Sequence, residues 1–170
     1  MALTEKIQAA LNAQVNNELD ASYAYLAVAT YFDNEGLPGF AEWFRGHAQE
    51  EHEHAMKIYN HIYQRDGKVA LEGIKKPKSD FASAEEAVLA GYEHEQVVTG
   101  QIHALFELCA EEKDYGTQNM LNWFLAEQVE EEDLFRRVLD LGRATDNNSW
   151  FLMQLDEQLE RPSEGGESEA

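Results

Sequence analysis

The chain has 170 residues, 44% of them hydrophobic, and a formal net charge of -20. That length and apolar content fit one globular domain with a single sizeable core, and scarce glycine and proline favour helices over sheets. The acidity argues against nucleic acid and anionic membranes as partners and leaves metal cations or basic proteins.

At the start, Met1-Ala2-Leu3-Thr4-Glu5 has no basic region followed by an apolar run, so no signal peptide is expected. The first predicted helix contains an uncharged run, Ala21 to Phe32, too short to span a bilayer but suited to deep burial. Glu35-Gly36-Leu37-Pro38-Gly39 stops it and starts a second helix, which Gly67 ends. An irregular stretch then runs to Ser83, whose Ser83-Ala84-Glu85-Glu86 reads as a capping box opening a third helix. The lone cysteine, Cys109, lies there as a small buried side chain; it cannot form an internal disulfide, which suits a reducing cytoplasm. Asp114-Tyr115-Gly116-Thr117 separates the third helix from the fourth. Thr145 to Ser149 separates the fourth from a short fifth, where Leu152, Leu155 and Leu159 share a face. One domain over 1–160 is expected, followed by a polar, disordered tail over 161–170.

Loop lengths set the topology. Short breaks make helices one and two, and three and four, antiparallel pairs. The second helix, roughly 28 residues, is about 42 Å long. The stretch from Gly67 to Ser83 reaches roughly 55 Å when extended, enough to traverse the bundle. The expected fold is all-α: a four-helix bundle with one long crossover between helices two and three, plus a short C-terminal helix.

Residues seven apart share a helix face. That spacing collects Leu11, Glu18, Tyr25 and Phe32 in the first helix, and Phe44, Glu51 and Ile58 in the second, with His47, His54 and His61 on the adjoining row. The third gives Val88, Glu95, Ile102 and Cys109; the fourth gives Leu121, Gln128, Phe135 and Phe124, Glu131, Val138. Each apolar seam is interrupted near mid-helix by a side chain able to bind metal. Burying one unpartnered carboxylate costs at least several kcal/mol, against whole-domain stabilities of about 5–15 kcal/mol. Four of them, Glu18, Glu51, Glu95 and Glu131, call for cations. Two divalent ions balance that charge, with His54 adding a neutral nitrogen, and such a donor set suits iron or manganese better than a soft metal.

The segments NNELDASYAYL, FAEWFRGHAQEEHEHAMKIY, HEQVVTG and NWFLAEQVEEED resemble the ferritins, specifically the non-haem ferritins of bacteria and archaea. The resemblance spans about Thr4 to Leu159. It implies a ferroxidase centre in which Glu18, Glu51 and His54 hold a first iron, with Glu51 bridging. Glu95 and Glu131, with Gln128 beside them, hold the second, and Tyr25 is a neighbouring hydrogen-bond partner and electron donor. Glu50, Glu127 and Glu130 match an additional carboxylate site, a third iron position that the seams do not show. The implied function is iron storage and detoxification: Fe(II) is oxidised by dioxygen or hydrogen peroxide, and ferric mineral is deposited inside a homo-oligomeric shell of 24 subunits. His52 stands where bacterioferritins place a haem-binding methionine, so haem is not expected. Gln118 and Leu121 replace the acidic residues that line a three-fold channel in animal ferritins.

Two rival readings are compatible with these residues, a rubrerythrin-like di-iron peroxidase and a non-catalytic acidic cation buffer. A rubredoxin domain, usual in the first, needs Cys-x-x-Cys pairs that are not in this sequence. His47, His61, His94 and His103 are expected on polar faces or interfaces, and Trp123 as a packed aromatic near the centre.

Overall fold

The computed structural model describes residues 2–145 and 148–160. Among the described residues are five helices: α1 (Glu5–Asn34), α2 (Pro38–Gln64), α3 (Ala84–Glu111), α4 (Tyr115–Ala144) and α5 (Ser149–Glu160). The tail over 161–170 lies outside the described residues. Cross-helix contacts fix the directions. Gln14 and Tyr25 of α1 meet Gln101 and Gly91 of α3, while His47 and His61 of α2 meet Glu131 and Thr117 of α4. Both series run in opposite senses along the paired helices, and α1 meets α2 likewise, Asp33 with Arg45 and Ser22 with Ala48, so α2 and α3 are parallel, as a full-length crossover requires. The all-α bundle expected from the seams is present.

Local chemistry explains most boundaries. Thr4, Ser83 and Asp114 cap α1, α3 and α4 by accepting hydrogen bonds from the backbone N–H three residues on. The capping box at α3 is displaced by one residue, because Glu86 reaches back to the N–H of Ala82 (2.5 Å), not that of Ser83. Helices α1, α2 and α3 each end in a left-handed residue followed by a six-to-one backbone bond. Only at α1 is that residue glycine, Gly36; at α2 it is Asp66, one position before the expected Gly67, and at α3 it is Lys113.

Helix α2 lacks a side-chain cap of its own. The buried Asp156 of α5 supplies one, its Oδ1 accepting from Phe40 N–H at 2.8 Å. A carboxylate is favoured there by the positive end of the helix dipole. The approach requires Gly39: a Cβ at that position would lie 1.9 Å from the carbonyl oxygen of Asp156. Leu155 is buried alongside, with Leu152 and Leu159 packed against the same cluster, which is the apolar face expected of the fifth helix.

The crossover is held by a ladder of side chains on α1. Gln8 Oε1 accepts from Lys68 N–H; Asn12 bonds Lys68 C=O and Ala70 N–H; Asn16 bonds Ala70 C=O and Glu72 N–H; Asp20 accepts from Lys75 N–H, all within 2.7–3.2 Å. Four helical residues rise about 6.0 Å and two extended residues about 6.6 Å, so the two periods nearly match. The polar side chains do the work of a neighbouring strand.

The core divides in two. One cluster centres on Phe32, Phe40, Phe44 and Phe135, the other on Ile7, Leu11, Ile58 and Ile102. Between them lies a buried polar layer at mid-helix.

Candidate metal centre

Glu18 and Glu95 are fully buried, and Glu51, Gln128, His54 and Glu131 are at most 6% exposed. All six seam residues therefore face inward from four different helices. Glu18 Oε2, Glu51 Oε2 and His54 Nδ1 are buried without hydrogen-bond partners. Each of Glu18, Glu51 and His54 offers a ligand atom within 4.8 Å of the others. Such groups are costly to leave unsatisfied, and a divalent cation bound among them would satisfy all three.

Glu95 is held differently. Its Oε1 accepts a short bond from the Tyr25 hydroxyl, and its Oε2 accepts from Gln128 Nε2 at 3.0 Å. Tyr25 also reaches Gly91 C=O at 3.3 Å and stacks on Phe135, with ring centroids 5.6 Å apart. Gly91 makes room for that ring, since a Cβ there would lie 2.4 Å from Phe135. Gln128 Oε1 is buried without a partner and remains a free donor atom for a cation.

Electrostatics record the crowding. Burial, reinforced by the Glu51 carboxylate, pushes Glu18 well above the ordinary carboxylate range. Burial and Glu95 push Glu51 up to about 8, and burial pushes Glu95 up to about 7. Burial and Glu95 likewise raise the Tyr25 phenol. Without cations the centre holds protons that bound metal would displace.

A second group was not legible as such. His47, expected on a polar face, is 4% exposed, with Nδ1 3.2 Å from Glu50 Oε2 and 3.3 Å from Glu131 Oε2. These are ion-pair distances without hydrogen-bond geometry, and His47, Glu50 and Glu131 form another set of converging ligand atoms. Burial lowers the His47 pKa, but Glu131 and Glu50 outweigh it and bring it up to about 9. The signal was its position, seven residues before His54. Glu127 is half-buried, while Glu50 and Glu130 are exposed. They line, with His47 and Glu131, an open cavity of about 830 Å³ between α2, α4 and α5. The family resemblance thus grouped Glu50, Glu127 and Glu130, which line one cavity, but omitted the histidine among them.

The remaining histidines differ. His61 is buried and bonds Thr117 Oγ1 at 3.0 Å in a network with Arg65 and Asp114. His94 is half-buried against Tyr25, and His103 is exposed. Trp123 is 38% exposed, not packed in the core; its edge meets His54, and Lys57 Nζ lies 3.9 Å above its ring.

A four-helix bundle whose facing helices bring carboxylates and an imidazole into a buried layer defines the ferritin-like class of carboxylate–histidine bundles. Comparison with known proteins agrees. A family model described as a ferritin-like domain matches residues 8–145. A bacterial non-heme ferritin from Staphylococcus aureus (strain USA300) is 40% identical over 154 residues, covering 89% of this chain and 93% of the relative. One from Staphylococcus epidermidis is 43% identical over the same length and shares. Among solved structures, an open-pore ferritin from the archaeon Archaeoglobus fulgidus superposes with a TM-score of 0.94 at 40% identity, over 95% of this chain and 99% of that one. A humanized archaeal ferritin gives 0.93 at 42%, over 95% and 98%. The chain belongs to the ferritin family. Among the described residues, no helix is long and apolar enough to cross a membrane.

Proposed function

We propose that this chain is an iron-storage and iron-detoxifying ferroxidase. The observation that carries the reading is the convergence of unpartnered Glu18, Glu51 and His54 atoms in a buried layer between two apolar clusters. Fe(II) is the substrate. Glu18, Glu51 and His54 hold one ion, with Glu51 bridging to a second held by Glu95 and Glu131 with Gln128 alongside. Two Fe(II) give up one electron each, and dioxygen takes both with two protons to become hydrogen peroxide; peroxide as oxidant yields two waters. Four carboxylates stabilise the ferric product more than the ferrous substrate, because they offset its extra charge. Tyr25 holds Glu95 in place beside the centre through its hydroxyl.

His47, Glu50, Glu127 and Glu130 take a third ion in the cavity beside Glu131, a station between the centre and the store. Storage needs an enclosed volume, which a homo-oligomeric cytoplasmic shell of 24 subunits provides. Its contacts draw on apolar residues exposed in the single chain, including Tyr23 and Leu26 on α1 and Trp150 on α5.

The test is size-exclusion chromatography after aerobic Fe(II) addition, followed at protein and ferric wavelengths together. The expected result is ferric absorbance co-eluting with a particle far larger than 19.3 kDa, and its rapid formation lost in Glu18→Ala. A monomer at all concentrations defeats storage while leaving oxidation intact. Oxidation undiminished in Glu18→Ala defeats the ferroxidase reading.

A further inference from the structure

The iron ligands explain why Glu18 is buried but not why a glutamine is buried beside it. Gln14 lies one turn before Glu18 on α1 and is 3% exposed, among Leu11 and Val15 of the core. Its Nε2 donates to Glu18 Oε1 at 2.9 Å and to Gln101 Oε1 of α3 at 3.2 Å. Both acceptors are oxygens, so both hydrogens of the amide are used. An apolar side chain would fill the same space without a polar group to satisfy.

The consequence falls on Glu18. A carboxylate buried at the end of a flexible side chain could chelate with both oxygens, bridge, or turn aside. Here one oxygen is taken by Gln14 and the other, Oε2, is buried without a partner, in a residue that offers a ligand atom within 4.8 Å of Glu51 and His54. We propose that Gln14, braced by Gln101, is a positioning residue that restricts Glu18 to one ligating oxygen and sets the affinity of the first metal position. This rests on the di-metal reading of the centre. Groups that orient a ligand in this way typically contribute about 10–100-fold in metal affinity when removed.

Anaerobic titration with Co(II), a spectroscopic probe that does not turn over, tests it on the full-length protein. His54→Ala identifies which binding phase belongs to the nitrogen-containing first position. The expected result is that Gln14→Met weakens that phase by about 10–100-fold, changes its d–d spectrum, and leaves the second phase in place. Gln101→Met should weaken the same phase by a smaller factor, because Gln14 stays bonded to Glu18 but loses its brace. Wild-type protein that binds no cobalt would overturn the metal reading and this inference with it. Two cobalt ions in wild type with an unchanged first phase in Gln14→Met would overturn this inference alone. Equal weakening of both phases would also overturn it, making Gln14 a packing residue; unfolding of Gln14→Met would shift the decision to Gln101→Met, whose unchanged first phase would count against it.

Discussion

The two halves of the centre are built from the same chemistry and held in opposite ways. Around Glu18, Glu51 and His54, atoms converge and three of them have no partner. Around Glu95, both carboxylate oxygens are already engaged, by Tyr25 and by Gln128. Glu131, the other carboxylate of that half, faces the cationic His47 at 3.3 Å. The first half leaves three ligand atoms bare, whereas in the second Glu95 is gripped on both oxygens and the bare atoms are Gln128 Oε1 and Glu131 Oε2. Metal should therefore enter the first half more readily and hold there longer. The second ion, with no imidazole beyond His47, is the one positioned to move on.

The strongest way to break this contrast is to remove each histidine in turn. His54→Ala should weaken the tighter Co(II) phase by more than about 100-fold, beyond the usual loss for an outer contact. His47→Ala should leave that phase nearly unchanged and affect only the weaker ions. Anaerobic titration reads both, and equal effects would erase the distinction.

A smaller effect is expected from pH. Glu51 and Glu95 have folded-state pKa values of about 8 and about 7, above the ordinary 4.5, so the native chain retains protons that the unfolded chain releases. Their contribution is greatest at low pH and is lost as pH rises. His47, raised from 6.5 to about 9, stabilises below about 6.5 and loses that contribution as pH climbs through 9, which is the same sign. Metal-free protein should lose roughly 5–10 °C of Tm between pH 5 and pH 9, and loading with Co(II) should abolish or reverse the slope. A metal-free Tm that rises over this window would refute the electrostatic picture.

The mildest test sharpens the second half alone. Tyr25→Phe removes a donor that competes with metal for Glu95. The net worth of one hydrogen bond, about 0.5–1.5 kcal/mol, translates into a two- to tenfold gain in second-position affinity. An unchanged value would mean that Tyr25 keeps its bond with metal in place.

Much of this was readable from residue spacing. The four glutamates announced themselves because an ionised group on an apolar seam is expensive, while breakers and loop lengths marked the helices and their directions. His47 escaped because an imidazole on a row adjoining the seam looks like ordinary surface; only the fold shows Glu131 arriving opposite. Gln14 escaped for a related reason, since a neutral amide carries no charge to flag its burial. Asp156 carried no signal in its local sequence, because its partner, the N-terminus of α2, lies 116 residues away. Spacing reports which face a residue occupies, not what the rest of the chain brings to it.

The crossover shows what a single register can control. Gln8, Asn12 and Asn16 grip alternate backbone positions of an extended segment, so their pairing tolerates no slip of one residue: an insertion between Lys68 and Glu72 would present each amide with the wrong end of a peptide group. Extra residues after Lys75, beyond the last rung, would simply loop out. The connection thus acts as a ruler along α1 as far as Asp20, two residues past Glu18, and leaves the stretch from Lys75 to Ser83 to span the rest of the way.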